Sequence, residues 1–269
     1  MKFKKLGIAL LLASSLTLAA CSNANNADSS NTEVIASKKV KIIKKNNSQL
    51  GPVVGTIAGK SIRANQLMRN DAKWGGGYGT PSDGKDTNKS HGATRRLTKK
   101  AKSIIIYWSR SGSTELLASK IAKKTNADIF EIRLRNPYPA NYKKTLARAN
   151  KERATGRPPK VIKDLPNLKQ YKTIYVGYQT WAMTLSQPMQ GFFKQYGGQF
   201  KNKIIAPFET QGGYGAGDSI DVMKNLIREK GGKNNTYASD LIIDGNKVNK
   251  SNTNKKVDKW VKKVKAIKN

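Results

Sequence analysis

Six consecutive residues, Ser109-Arg110-Ser111-Gly112-Ser113-Thr114, are the part of this chain best suited to chemistry. They follow the apolar run Ser103 to Trp108 and precede a helical pattern from Glu115 to Lys124. A strand that passes through a hydroxyl-rich turn into a helix makes an anion cradle. The first N–H groups of the helix have no intrahelical partner, the helix dipole favours negative charge there, and Ser and Thr hydroxyls add donors. Gly112 lets a backbone come close. The pattern points to a phosphorylated ligand at the start of an α/β domain.

Other chemistries find little support. His91 is the only histidine and Cys21 the only cysteine. His91 lies in a polar stretch and reads as neither ligand nor base, so neither a metal centre nor a Ser-His-Asp triad follows. Asp218 and Asp221 read as helix-start residues rather than a catalytic pair. No residue is required as acid, base or nucleophile.

The elements around the turn alternate. Strands are expected at 103–108, 128–134, 173–178, 203–208 and 237–243. Helices are expected at 114–124, 141–153, about 186–196, about 217–230 and 253–267. Near-continuous apolar strands separated by helices imply a parallel sheet covered on both faces. Right-handed crossovers make this a doubly wound α/β domain over 101–269. In such a sheet a ligand sits beyond the carboxyl ends of the strands, where three loops should converge. They are the phosphate turn, Gln179 to Thr184, and the glycine-rich Glu209 to Gly215. An aromatic in each of the last two suits a flat ring whose polar edge is read by backbone groups.

The chain outside that domain reads differently. Residues 1–21 read as an export signal: Lys2, Lys4 and Lys5, an apolar core, and Leu18-Ala19-Ala20-Cys21, which resembles the lipobox of bacterial lipoproteins. That resemblance implies a lipidated Cys21 and anchoring to the outer face of the bacterial cell membrane. Residues 22–100 hold too few apolar residues for a core of their own. They read as a polar, basic, largely disordered linker with some local structure near 50–70, and the run Trp74-Gly75-Gly76-Gly77-Tyr78-Gly79 reads as turn-rich.

The formal charge is +34, and residues 101–269 alone carry 33 basic and 12 acidic side chains. Such a charge favours association with polyanions. For an exported chain these are anionic lipids and cell-wall polymers. Export and the lack of any nucleic-acid motif argue against nucleic acid.

Residues 101–269 resemble the flavodoxin family, the subfamily found in bacterial flavodoxin-like proteins. The landmarks occur in family order: Tyr107 to Thr114, Asn136 to Tyr142, Arg157-Pro158, Gly177 to Trp181, and Pro207 to Gly213. The resemblance implies a five-stranded sheet of order 2-1-3-4-5 and FMN as cofactor. It implies that Ser109, Ser111, Gly112, Ser113 and Thr114 hold the phosphate, with Arg110 adding positive potential. Thr180 and Trp181 would border the ring from one loop; Thr210, Gly212, Gly213 and Tyr214 would border it from the other, its backbone N–H groups reading the pyrimidine edge. The loop after the third strand departs from the family's Tyr-Pro-x-Trp-Trp-Gly, having Tyr178-Gln179-Thr180-Trp181-Ala182-Met183. The implied role is electron transfer or flavin-dependent reduction, with NAD(P)H, a quinone or another redox protein as partner. The absence of Gly-x-Gly-x-x-Gly favours a carrier. The alternative is a non-enzymatic surface protein that binds wall polymers or lipids on this scaffold.

Overall fold

The structure is a computed structural model and describes residues 50–268. The export signal, Cys21 and the first part of the linker lie outside the described residues. Chain order begins with β1 (Val53–Ile57), β2 (Lys60–Arg63), a short helix α1 (Asp71–Trp74) and β3 (Arg95–Arg96). The alternating part follows as β4 (Ser103–Tyr107), α2 (Ser113–Thr125), β5 (Asp128–Glu131), α3 (Tyr142–Ala154), β6 (Thr173–Trp181) and β7 (Thr184–Leu185). It ends with α4 (Gln187–Tyr196), β8 (Ile204–Gln211), α5 (Ser219–Glu229), β9 (Thr236–Tyr237), β10 (Leu241–Asp244) and α6 (Ser251–Lys265).

The main sheet runs β10-β8-β6-β4-β5-β3. Its first five strands are parallel and β3 is an antiparallel edge on β5. Without that edge the order is the expected 2-1-3-4-5. The inner stretches of the central strands, Ile104 to Tyr107, Ile174 to Val176 and Ile204 to Phe208, are apolar because both faces are covered, and their polar residues gather at the carboxyl ends. Ile104 and Ile106 face a core that includes Phe192, Phe193 and Met223 from α4 and α5. Ile105 and Tyr107 face the opposite core, with Leu117 and Ile121 of α2 and Val257 and Trp260 of α6. The strand expected at 237–243 is split into β9 and β10. The break brings Asp240 to within 3.1 Å of the Tyr178 hydroxyl. Among the described residues no helix is long and apolar enough to cross a membrane.

Residues 50–100 correct the linker reading, since they are packed onto the domain. β1 and β2 form a hairpin whose turn residues Ala58 and Gly59 both have positive φ, the conformation a two-residue hairpin turn needs. Ile57, Ile62 and Ala64 are buried in the α2–α6 core. At about 1.5–3 kcal/mol for each fully buried Ile, this offsets much of the cost of ordering the segment. The sequence does lack the apolar residues for an independent core here. It has enough to join a core that another part of the chain supplies.

Candidate functional site

The turn after β4 forms as its sequence requires. Gly112 is the N-cap of α2 at φ 86°, a left-handed conformation that glycine adopts without strain. Leu116 is the first residue of α2 whose N–H is satisfied within the helix, by the Gly112 carbonyl at 2.9 Å. The hydroxyls of the turn divide into two sets. Ser113 Oγ donates to the Gly245 carbonyl at 2.8 Å, and Thr114 Oγ1 lies 2.8 Å from Thr210 Oγ1. These two tie the turn to the ends of β10 and β8. Ser109 Oγ is buried without a hydrogen-bond partner. Ser111 borders an adjacent cleft, and its hydroxyl has no hydrogen bond among the described residues.

Arg110 is buried rather than solvated. Its Nη1 donates to the Thr80 carbonyl at 2.8 Å, its Nε lies 3.9 Å from Asp86, and its guanidinium sits 5.6 Å from the centre of the Tyr142 ring. Burial lowers its pKa, and the Asp86 carboxylate opposes that shift.

The cleft brings Arg110, Ser111, Thr180, Trp181, Thr210 and Gly212 together. Ser109, Gly112, Ser113 and Thr114 do not border it, and Ser109 instead lines a small separate pocket with Asp86, His91 and Glu131. Gly213 and Tyr214 do not border it, and Tyr214 is 77 % exposed. Nor are the N–H groups of the glycine-rich loop all open to a ring edge. Those of Gly213 and Gly215 donate to Gln211 Oε1, so that side chain shapes the loop. Gln211 is itself held by Asp244 at 2.6 Å.

The loop after β6 closes as the hairpin β6–β7, with Ala182 and Met183 both at positive φ. Non-glycine residues adopt that conformation at a cost, so the surrounding structure must hold them there. Trp181 meets Trp108 and Tyr138 edge to face at 5.5 and 5.6 Å, so it is at once a packed aromatic and a wall of the cleft. Gln179 stands where the family pattern has proline. Its Nε2 donates to the Trp108 carbonyl and to Thr114 Oγ1, both at 2.6 Å, while its Oε1 is buried and unpartnered. Gln179 thereby fastens the end of β6 to both ends of the phosphate turn. Gln179→Ala is expected to lower stability by about 1–2 kcal/mol by orphaning these groups, a change that urea unfolding would measure.

Sequence reasoning missed two further walls. One comes from α3, through Tyr142, Thr145, Asn150 and Arg153. The other comes from Gln66, Gly76, Gly77 and Thr80. The density of glycine at 75–79 was the available signal for the second.

Two groups of buried carboxyls flank the turn. On one side Lys85 Nζ lies 2.6 Å from both oxygens of Glu115, which also accepts from Tyr107 at 3.1 Å. Burial raises the Glu115 pKa and Lys85 lowers it. Asp86 is pushed up to about 7 by burial. Glu131 is also pushed up by burial, but His91 and the Thr94 N–H outweigh this and hold it below the ordinary range. His91 Nε2 lies 3.6 Å from Glu131. On the other side Tyr178 lies between Glu209 and Asp240, donating to Asp240, while Thr180 Oγ1 donates to Glu209 at 2.9 Å. Among the described residues no group of three or more His, Cys, Asp or Glu could hold a metal ion.

A family model described as flavodoxin matches residues 102–264. No curated protein matches the chain. Among solved structures, a flavoprotein in complex with FMN from Lactobacillus acidophilus is 21% identical, covering 60% of this chain and 98% of that one with a TM-score of 0.45. A flavodoxin from the domain Archaea is 20% identical, covering 61% and 98% at TM-score 0.38. Oxidised Flavodoxin 1 from Bacillus cereus is 20% identical, covering 62% and 100% at TM-score 0.36.

Proposed function

This chain belongs to the flavodoxin family, and from that premise we propose that its cleft holds FMN and that the protein transfers electrons through it. The observation that carries the reading is the turn entering α2. Ser111 borders the cleft with its hydroxyl unbonded among the described residues, directly before the Gly112 cap of α2, while Ser109 Oγ is buried without a partner and faces the neighbouring pocket that holds Asp86 and Glu131. A donor left unmade costs about 1–3 kcal/mol, and a phosphate oxygen at the turn would recover that cost. When bound, FMN supplies one- and two-electron transfer, and the protein supplies orientation and electrostatics.

Ser109 and Ser111 would hold the phosphate, together with the N–H groups of the first turn of α2. Ser113 and Thr114 act behind them by fixing the turn to β10 and β8. Thr180 and Trp181 would border the ring on one side, and Thr210 and Gly212 on the other. The edge-on contacts of Trp181 with Trp108 and Tyr138 limit its rotation, so it presents a fixed wall.

The electron partner is NAD(P)H, a quinone or another redox protein; the lack of a dinucleotide fingerprint favours the protein or quinone routes. The lipobox-like segment ending at Cys21 supports export and lipid anchoring. A second reading, compatible with the first, is contact with anionic wall polymers or lipids. It is supported by the exposed Lys255, Lys256, Lys259, Lys262 and Lys263 on α6. Nucleic acid is not part of either reading.

Titration of the full chain with FMN, followed by quenching of flavin fluorescence, tests the proposal. Tight binding that weakens about tenfold in Ser111→Ala, with unchanged unfolding, is expected. A folded protein that does not quench FMN would refute it and leave polyanion binding as the working function.

A further inference from the structure

Residues 50–100 precede the matched family domain, yet four of them border the cleft. We propose that the segment from Gln66 to Thr80 is a wall of the FMN site that closes over the bound cofactor. The inference rests on the FMN reading above.

The domain is shaped to receive this segment. A Cβ on Gly112 would lie 1.7 Å from the Arg63 carbonyl oxygen. One on Gly212 would lie 2.6 Å from the Gly76 carbonyl oxygen, and one on Gly245 would lie 1.6 Å from Gln66 Oε1. The Gly112 contact is with β2, just before the segment, and the Gly245 contact is with the movable end of a side chain; at Gly212 the segment's own backbone closes in, so glycine there is what lets it dock. Gly112 and Gly212 both belong to loops already assigned to the cofactor.

The segment also presents polar groups without partners. Gln66 Oε1 and Trp74 Nε1 are buried and make no hydrogen bond. Gln66 borders the cleft, so its amide can meet a ligand that carries both donors and acceptors.

Its attachment suits a movable wall. Asn65 accepts from the Gly51 N–H at 3.0 Å, donates to the Ser82 carbonyl at 2.8 Å, and uses its own N–H on the Ser111 carbonyl at 2.8 Å. Beyond Ala64 the ties to the domain are largely polar, including Asn246 to Asp71 at 2.8 Å. Its apolar anchors are few: Trp74, 7% exposed, Leu67 against the α2–α6 core, and Tyr78 edge-on to Tyr142. A segment held by few apolar contacts can open locally while the sheet stays intact.

The test uses the full chain, FMN and trypsin. Lys73 lies in the segment and is exposed. FMN is expected to slow cleavage after Lys73 several-fold in the wild type. Asn65→Ala removes three side-chain hydrogen bonds at the ends of the segment, with Gly51, Pro81 and Ser82, without touching the cleft. It should restore cleavage in the presence of FMN and speed FMN release about tenfold. Gln66→Ala, which leaves the segment's ties in place, should weaken FMN binding several-fold with an unchanged unfolding curve. FMN binding with no protection at Lys73, and with release unchanged in both variants, would overturn the wall while leaving the cofactor reading intact. Absence of FMN binding in the wild type would overturn both.

Discussion

Gly112→Val is expected to lower the stability of the fold by about 3–5 kcal/mol and FMN affinity by tenfold or more. Two costs add. The residue sits at φ 86°, where a β-branched side chain is strained. The new Cβ would also meet the Arg63 carbonyl oxygen at 1.7 Å, and that atom is backbone, not the end of a flexible side chain. Relief requires either the turn or β2 to move. Moving the turn disturbs Ser109 and Ser111, and moving β2 draws Ile62 and Ala64 from the α2–α6 core. Urea unfolding and FMN titration measure the two effects. A variant with near wild-type stability would show that β2 does not dock against this turn.

The second large effect concerns pH. Burial, then the neighbouring Glu209, push Asp240 up to about 8 from its ordinary 3.8. Between about pH 4 and pH 8 the folded protein therefore keeps a proton that the unfolded chain has lost. The unfolded state binds fewer protons across that window, so stability falls as pH rises through it. The groups facing Asp240 are Glu209, the Tyr178 hydroxyl and the Leu241 N–H, and among the described residues no cation reverses the sign. Asp240→Asn keeps an acceptor for Tyr178 and removes the titration. Taking the two proteins' stabilities relative to their values near pH 4, the variant should gain on the wild type by about 1.4 kcal/mol per pH unit up to pH 8, a total of several kcal/mol. Asp86, pushed up to about 7, adds a similar fall over the lower part of the window that both proteins share. Parallel stability–pH curves for the two proteins would place the Asp240 proton elsewhere.

Much of the fold was legible because its signals are local. The run Ile104-Ile105-Ile106 is apolar throughout, which marks a strand covered on both faces. The helices begin and end within two residues of their expected bounds, since periodicity and capping act over a few positions. The split of the last strand was not legible. It follows from Asp240 turning to Tyr178, a partner 62 residues away. Residues 50–100 were misread for a related reason. Composition reports whether a segment can build a core, not whether it can complete one built by others.

The site divides in the same way. The sequence by itself determined that a hydroxyl-rich turn with glycine at its bend enters a helix after a buried strand. Those features depend on neighbours along the chain, and they suffice to make an anion cradle. Only the tertiary structure decided which hydroxyls remain for a ligand. Ser113 is taken by the Gly245 carbonyl, 132 positions away, and Thr114 by Gln179 and Thr210, while Ser109 and Ser111 stay free. It also decided what comes close to Gly112, which is the backbone of Arg63. A donor's partner and a glycine's neighbour are set by which distant segments meet in space, and no local pattern encodes that meeting.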